Sequence, residues 1–289
     1  MNVPVIGGSA TVAAMDPIVS TRSLSGAGSD VVLVDVRWYP DGRDPHAEFA
    51  AGHLPGAVLA PVDEVCSDPA SDAHGRHPLP TPAAFADRLS ALGIGDGDIV
   101  VAYDDAGGVL AARLVWMLRA LGHDAALLDA GLGPFPETGE GPPLPARKPP
   151  MTVPETWPPE LVASVDEVAA PRDGEVVIDA RPRDRFEGAP DPLDPRAGHI
   201  PGSRSLPCRE HLGVDGRLLD VQRLRERMAA VGIGAGGAGF ISSCGSGVTA
   251  CHNLLVAEHA GIGRGRLFPG SWSQWSRDPS RPVATGPQQ

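Results

Sequence analysis

The feature that most constrains this chain is that it contains the same pattern twice. "GIGDGDIVVAYDDAGGVLAA" from Gly93 and "GIGAGGAGFISSCGSGVTAC" from Gly232 align without a gap at an offset of 139. Gly93, Ile94, Gly95, Gly97, Gly108, Val109 and Ala111 all meet identical residues under that offset. Upstream, "AGHLPGAVLAP" from Ala51 matches "AGHIPGSRSLP" from Ala197, and "VVLVDVR" from Val31 matches "VVIDAR" from Val176. A length of 289 residues is enough for about two domains that each bury a core. Residues 134–159 hold ten prolines, which fix φ and remove backbone donors, so a semi-extended linker separates the copies. The expected organisation is a first domain over 1–140, a linker over 141–159 and a second domain over 160–289.

Within each copy, short apolar runs alternate with segments of helical period. "DIVVAYDD" reads as a buried strand and "VLAARLVWMLRALG" as the amphipathic helix after it. "TPAAFADRLSALG" has Thr81 placed to cap a helix and Pro82 at its first position. "DVQRLRERMAAVG" repeats this with Asp220 as cap and Val221, Leu224, Met228 and Val231 on one face. Strands alternating with helices predict an α/β fold, each copy a mainly parallel sheet flanked by helices. In such sheets ligands sit beyond the carboxyl ends of strands. Cys244 in "SSCGSGVTAC" falls at that point.

The residues around Cys244 are those of a loop that wraps its own amides around a sulfur atom. A strand end followed by a helix start exposes several N–H groups, and the helix dipole adds positive potential. Such a setting lowers a thiol pKa from its reference of about 8.5. Gly245 and Gly247 let the amides turn inward without a Cβ in the way. A buried structural cysteine beside a glycine turn has the same local pattern, so the loop alone does not decide. The repeat adds to it, because the gapless offset puts Asp105 of "YDDAGG" opposite Cys244. One copy then carries a sulfur nucleophile and the other a carboxylate that cannot act as one.

Composition excludes several classes. The net charge of −12 argues against non-specific nucleic-acid binding. No apolar run approaches the roughly 18 residues of a membrane helix. The first residues, "MNVPVIGGSATVAAMDP", lack the pattern of a secretory signal. Four cysteines in this length do not form a disulfide framework, and a cytoplasmic protein with free thiols is the expectation. Cys66, Cys208 and Cys251 lack C-x-x-C spacing and read as buried small residues. The "GIGDGD" glycines precede a strand instead of following one, which removes a dinucleotide-binding reading. A cysteine phosphatase needs an arginine six residues after its nucleophile, and that residue here is Ala250.

"CGSGVTA", "GHLPG" and "GHIPG" in the two halves and "GSWSQW" near the end together resemble the tandem-domain rhodanese sulfurtransferases. The likeness covers nearly the whole chain and is greatest to the 3-mercaptopyruvate sulfurtransferase branch. It implies two rhodanese-like domains, a catalytic second domain and a Cys244 persulfide as covalent intermediate. A thiolate attacks the outer sulfur of the donor, and a ring of amides holds the terminal sulfur. On this reading Gly245, Gly247, Val248 and Thr249 line the sulfur and donor site. No cofactor or metal is implied. The partners are a small-molecule sulfur donor and an acceptor, either cyanide or a thiol such as thioredoxin.

The resemblance also assigns supporting residues. Ser246 is expected to work with His53 of "GHLPG" and Asp44 of "GRDP" as a proton-handling set. His53 can equally be a turn histidine holding a carbonyl, since His199 stands in the same turn of the second copy. Arg185 before Phe186 matches the family's substrate arginine, whose fork suits a carboxylate. Leu193 stands where the branch has its second arginine, and Arg196 is the candidate to replace it. Gly245, Ser246 and Gly247 carry no charge, where thiosulfate-type members place basic residues after the cysteine. That favours 3-mercaptopyruvate as donor, with thiosulfate, or a persulfide carrier without turnover of its own, as the alternatives. Trp272 and Trp275 are expected to serve domain packing, bordering the pocket.

Overall fold

The computed structural model describes residues 15–21, 31–129, 145–234 and 239–287. The expected boundary at 140 and linker residues 141–144 lie outside them. Two sheets form, and every strand pairing in them is parallel. The first contains β1 (Ile18–Ser20), β2 (Val31–Asp35), β3 (Val58–Leu59), β4 (Ile99–Tyr103) and β5 (Ala125–Asp129), in the order β1-β5-β4-β2-β3. The second contains β6 (Val176–Asp179), β7 (Arg204–Ser205), β8 (Phe240–Ser243) and β9 (Arg266–Leu267), in the order β7-β6-β8-β9. Parallel strands need crossovers, and helices supply them. They are α1 (Pro45–Ala51), α2 (Pro82–Ala91) and α3 (Ala112–Ala120) in the first copy. In the second they are α4 (Val165–Ala169), α5 (Arg183–Glu187), α6 (Val221–Ala230), α7 (Ala250–His259) and α8 (Ser271–Trp275).

Local chemistry starts these helices where the sequence suggests. The Ala84 amide donates to Thr81 Oγ1 at 3.2 Å, and Pro82 opens α2. The Arg223 amide donates to Asp220 Oδ1 at 3.0 Å ahead of α6, whose Leu224 and Met228 are fully buried. Each cap is worth about 1 kcal/mol. The helix expected from Val109 begins at Ala112, because residues 104–111 are taken up by a loop.

A duplicated scaffold sets the two strand ends. Arg37 pairs with Asp35 at 2.7 Å and donates to the Gly52 carbonyl at 2.7 Å. Arg181 pairs with Asp179 at 2.7 Å and donates to the Gly198 carbonyl at 2.8 Å. All four side chains are nearly fully buried, and each pair ties a strand to its glycine–histidine turn. A buried ion pair is tolerated only when its remaining donors are also satisfied, as the two carbonyls do here.

The copies share one core. Leu114, Val115 and Leu118 of α3 and Leu254 and Leu255 of α7 belong to a single buried cluster. Arg119 of α3 meets Glu258 of α7 at 2.5 Å beside it. The described linker segment lies on the first domain. Trp157 Nε1 donates to the Pro80 carbonyl at 2.7 Å, its ring stacks on Trp116 at 6.0 Å, and Met151 is buried. Burying a side chain such as Met151 stabilises by about 1.5–3 kcal/mol, enough to hold a proline-rich strand in place.

Candidate active site

Cys244 stands at the carboxyl end of β8, one residue before the loop that leads into α7. The thiol is 2% exposed, and the Gly247 amide donates to its sulfur at 3.1 Å. An N–H aimed at sulfur favours negative charge there. Gly247 has φ +77°, and a Cβ on it would lie 2.3 Å from the Pro269 carbonyl oxygen, so only glycine fits. Val248 is buried in the shared core. The Thr249 hydroxyl meets the Cys208 sulfur. A cavity of about 400 Å³ adjoins the loop, lined by Thr249, Cys208, Arg181, Arg183 and Arg209 among others.

The loop is fastened from three sides. The Cys244 amide donates to Ser271 Oγ at 3.0 Å, and that hydroxyl donates to the Phe268 carbonyl at 2.9 Å. Ser271 sits at φ +51°, a left-handed conformation that a serine adopts only when its surroundings hold it. The amides of Trp272 and Ser273 then donate to the carbonyls of Cys244 and Gly245 at 2.9 and 2.7 Å. From the first domain, fully buried Arg113 donates to the Gly247 carbonyl at 2.9 Å and to those of His77 and Cys66 at 3.2 and 3.4 Å. Trp272 is buried as expected, with its Nε1 on the Arg196 carbonyl at 2.9 Å and the Arg181 guanidinium 4.9 Å from its ring centre.

The proton-handling set differs from the one expected. Ser246 Oγ donates to His77 Nδ1 at 2.7 Å, and His77 Nε2 faces Asp63 Oδ1 at 3.0 Å. Burial pushes the His77 pKa below its ordinary value, leaving a neutral ring at pH 7. The His77 hydrogen bond holds the Asp63 carboxyl below the usual range. Nε2–H to a carboxylate leaves Nδ1 free to accept the serine proton, the polarity of a Ser-His-Asp relay. Trp38 meets the His77 ring edge-on at 5.1 Å and fixes its plane.

His53 and Asp44 are elsewhere. His53 Nδ1 bonds the Phe49 carbonyl at 2.8 Å, with its ring stacked on Phe49 at 3.9 Å. His199 does the same in the second copy, with the Phe186 carbonyl at 2.7 Å and the ring at 3.7 Å. Both are turn histidines of the duplicated scaffold. Asp44 caps α1, accepting from the His46 amide at 3.0 Å. His77 and Asp63 were missed, although a signal for His77 existed. His77 has Gly216 opposite it at the offset of 139, so the second copy lacks the side chain that the first one uses here.

The arginines also sort differently. Arg196 donates to the carbonyls of Ser276, Trp275, Asp278 and Arg281 at 2.5–2.9 Å, so its donors are committed to the C-terminal segment and not to a donor molecule. Arg185 is 31% exposed and meets Asp191 at 3.9 Å, and it stays available. Cys66, Cys208 and Cys251 are buried, and burial pushes each thiol up to about 12.

The counterpart of Cys244 is Asp104, not Asp105. Strand register pairs Asp35 with Tyr103 and Asp179 with Ser243, so the residue after each strand is Asp104 in one copy and Cys244 in the other. The buried Asp104 carboxylate accepts from the amides of Ala106, Gly108, Leu110 and Ala111 at 2.6–2.8 Å. Its loop is an anion cradle filled by its own side chain. Asp105 instead accepts from the Tyr39 hydroxyl at 2.6 Å.

Comparison with known proteins agrees with the two-domain fold. The family model described as "Rhodanese-like domain" matches residues 21–135 and again 164–278. A Pseudomonas aeruginosa protein named "Probable 3-mercaptopyruvate sulfurtransferase" is 37% identical over 273 residues, covering 89% of this chain and 93% of its own. An Arabidopsis thaliana "Thiosulfate/3-mercaptopyruvate sulfurtransferase 2" is 31% identical over 309 residues, covering 95% of this chain and 88% of its own. The solved structure of 3-mercaptopyruvate sulfurtransferase from Leishmania major superposes with a TM-score of 0.75 at 32% identity, covering 90% of this chain and 74% of its own.

Proposed function

The chain belongs to the rhodanese-like family and is a sulfurtransferase of two such domains, and from that premise we propose that it moves the sulfur of 3-mercaptopyruvate to a thiol or to cyanide through a persulfide on Cys244. The observation that carries the donor assignment is the hydroxyl of Ser246, two residues from the nucleophile, hydrogen-bonded to a neutral His77 at 2.7 Å. The Cys244 thiolate attacks the donor sulfur, an S–S bond forms, and the C–S bond breaks with its electron pair on carbon. The product is an enolate that needs a proton, and the donor's own thiol supplies it: that proton passes to Ser246 as the serine proton passes to His77 Nδ1, and the pair returns it to the enolate carbon, leaving the persulfide as an anion. The Gly247 amide, 3.1 Å from the sulfur, supports charge at the persulfide.

An acceptor thiolate, such as that of thioredoxin, or cyanide then attacks the outer sulfur and releases the Cys244 thiolate. The reducing cytoplasm is the compartment that fits such acceptors. Among the described residues no helix is long and apolar enough to cross a membrane. Thiosulfate is the second reading, favoured by the arginines that line the cavity beside the loop. Sulfur transfer to cyanide, with kcat/KM measured for 3-mercaptopyruvate and thiosulfate side by side, tests the assignment. Preference for thiosulfate overturns the choice of donor. A Cys244→Ser variant that still turns over near the parent rate overturns the persulfide.

A further inference from the structure

Four arginines among the described residues are buried: Arg37, Arg113, Arg181 and Arg266. Three of them meet carboxylates. Arg37 pairs with Asp35 at 2.7 Å, Arg181 with Asp179 at 2.7 Å and Arg266 with Glu175 at 2.8 Å. Arg113, the most deeply buried of the four, has no ion-pair partner among the described residues. Its bonds run to the carbonyls of Gly247, His77 and Cys66, and its Nε has no partner. Carbonyls satisfy N–H groups but do not neutralise a charge, and a buried ion without a counter-ion is costly. The residue opposite Arg113 at the offset of 139 is His252, which burial keeps neutral with a pKa of about 3. The repeated scaffold therefore folds without a cation at this point, and the charge of Arg113 needs a reason of its own.

Its guanidinium lies directly behind the nucleophile loop. Nη1 donates to the Gly247 carbonyl at 2.9 Å, and the amide of the same residue donates to Cys244 Sγ at 3.1 Å. One residue thus separates the charge from the sulfur, a span of no more than about 10 Å. We propose that Arg113 is the counter-ion of Cys244, supplied by the first domain, and that its charge holds the sulfur anionic as thiolate and as persulfide. The inference rests on the proposed sulfur-transfer reading, and Arg113 is a positioning residue that touches neither donor nor acceptor. The other charged groups around the loop are spent or neutral. Arg181 is paired with Asp179 and Arg76 with Asp194 at 3.2 Å, while Arg209 is exposed. His77 is neutral, through burial first and the Arg113 charge second. The thiols of Cys66, Cys208 and Cys251 are pushed up to about 12 and stay protonated.

Alkylation of Cys244 by iodoacetamide, followed by mass spectrometry across the pH range in which thiols ionise, reads the thiolate without reference to the natural donor. Arg113→Gln keeps an amide NH2 for the carbonyls and removes the charge, whereas Arg113→Lys keeps the charge and loses the fork. The midpoint of the rate profile should rise by about one pH unit in Arg113→Gln, the scale of two charges some 10 Å apart at an effective dielectric of about 20. Arg113→Lys should keep the parent's midpoint. A purely structural arginine predicts no such split, because the lysine loses more of the carbonyl bonds than the glutamine does. The parent gives a second reading that needs no glutamine variant. Loaded with inorganic polysulfide, Cys244 carries an anionic persulfide, and capped with methyl methanethiosulfonate it carries a neutral disulfide of similar size. The persulfide form should unfold at a higher urea midpoint than the capped form, and Arg113→Lys should retain that gap. Equal midpoints for the two forms, a gap lost in Arg113→Lys, or an alkylation profile unmoved in Arg113→Gln overturns the proposal. The expected shift in a protein that turns over neither 3-mercaptopyruvate nor thiosulfate refutes the function and leaves Arg113 as the counter-ion of a thiolate.

Discussion

Replacing Asp104 by alanine removes the acceptor that four amides share. Three of those bonds, from Gly108, Leu110 and Ala111, are fully buried, and the one from Ala106 is partly so. A buried donor left without a partner costs about 1–3 kcal/mol. Three such donors sum to about 3–9 kcal/mol, and water entering the vacated space returns some of it. The expected loss is therefore at least about 3 kcal/mol, against a total stability of about 5–15 kcal/mol for an ordinary domain. Asp104→Asn keeps one acceptor oxygen and turns an NH2 toward the other amides, so it should lie between parent and alanine. Urea unfolding followed by tryptophan fluorescence measures both, with Trp38 and Trp116 in the first domain and Trp272 and Trp275 in the second. A loss below about 1 kcal/mol at unchanged m-value would refute the reasoning, because the loop would then not need its anion. Asp105→Ala, whose carboxylate meets a tyrosine hydroxyl instead, should cost much less.

The other expectations can be checked on the same protein. His77→Ala should lower kcat with 3-mercaptopyruvate by about 100-fold or more, the usual scale of general acid–base help. His53→Asn should cost stability and leave turnover per folded molecule near the parent's. Gly247→Ala places a Cβ 2.3 Å from the Pro269 carbonyl oxygen, so it should slow Cys244 alkylation and lower the melting temperature together. His211 and His252 are fully buried, and burial lowers their pKa values to about 4 and about 3. Both stay neutral in the fold while the unfolded chain binds protons below about 6.5, so stability falls as pH drops. Each histidine should account for about 2 kcal/mol lost between pH 7 and pH 5. His252→Leu should remove its share of that slope, as read from urea midpoints at the two pH values. An unchanged slope would place the titration elsewhere.

The scaffold was legible because it is repeated. Strand, cap and turn residues recur in both copies, and identity between halves marks what folding needs. That same logic misplaced the relay. His53 was noticed because "GHLPG" recurs at "GHIPG", and recurrence is what a turn histidine shows. His77 stands opposite Gly216, and the absence of a twin was the informative sign. Asp63 faces His77 across space only after the first domain folds, so no local spacing reveals it. The error of one residue at Asp105 has a plain cause. Glycines at both ends of the gapless alignment fix its ends, but the first loop takes four steps from Asp104 to Gly108 where the second takes three from Cys244 to Gly247. Only the strand register exposes that shift. Arg196 looked free because its partners are four carbonyls, which no side-chain pattern announces.

Arg113 closes one guanidinium around carbonyls of Cys66, His77 and Gly247, which belong to both halves of the chain. In terms of descent, this makes the duplicated halves a single unit of selection. A change in the α3 helix of the spent copy is felt at once in the loop of the working copy. The first half can lose its own sulfur chemistry without becoming dispensable. Recombination that swaps one half for that of a distant relative succeeds only when a buried cation arrives with it.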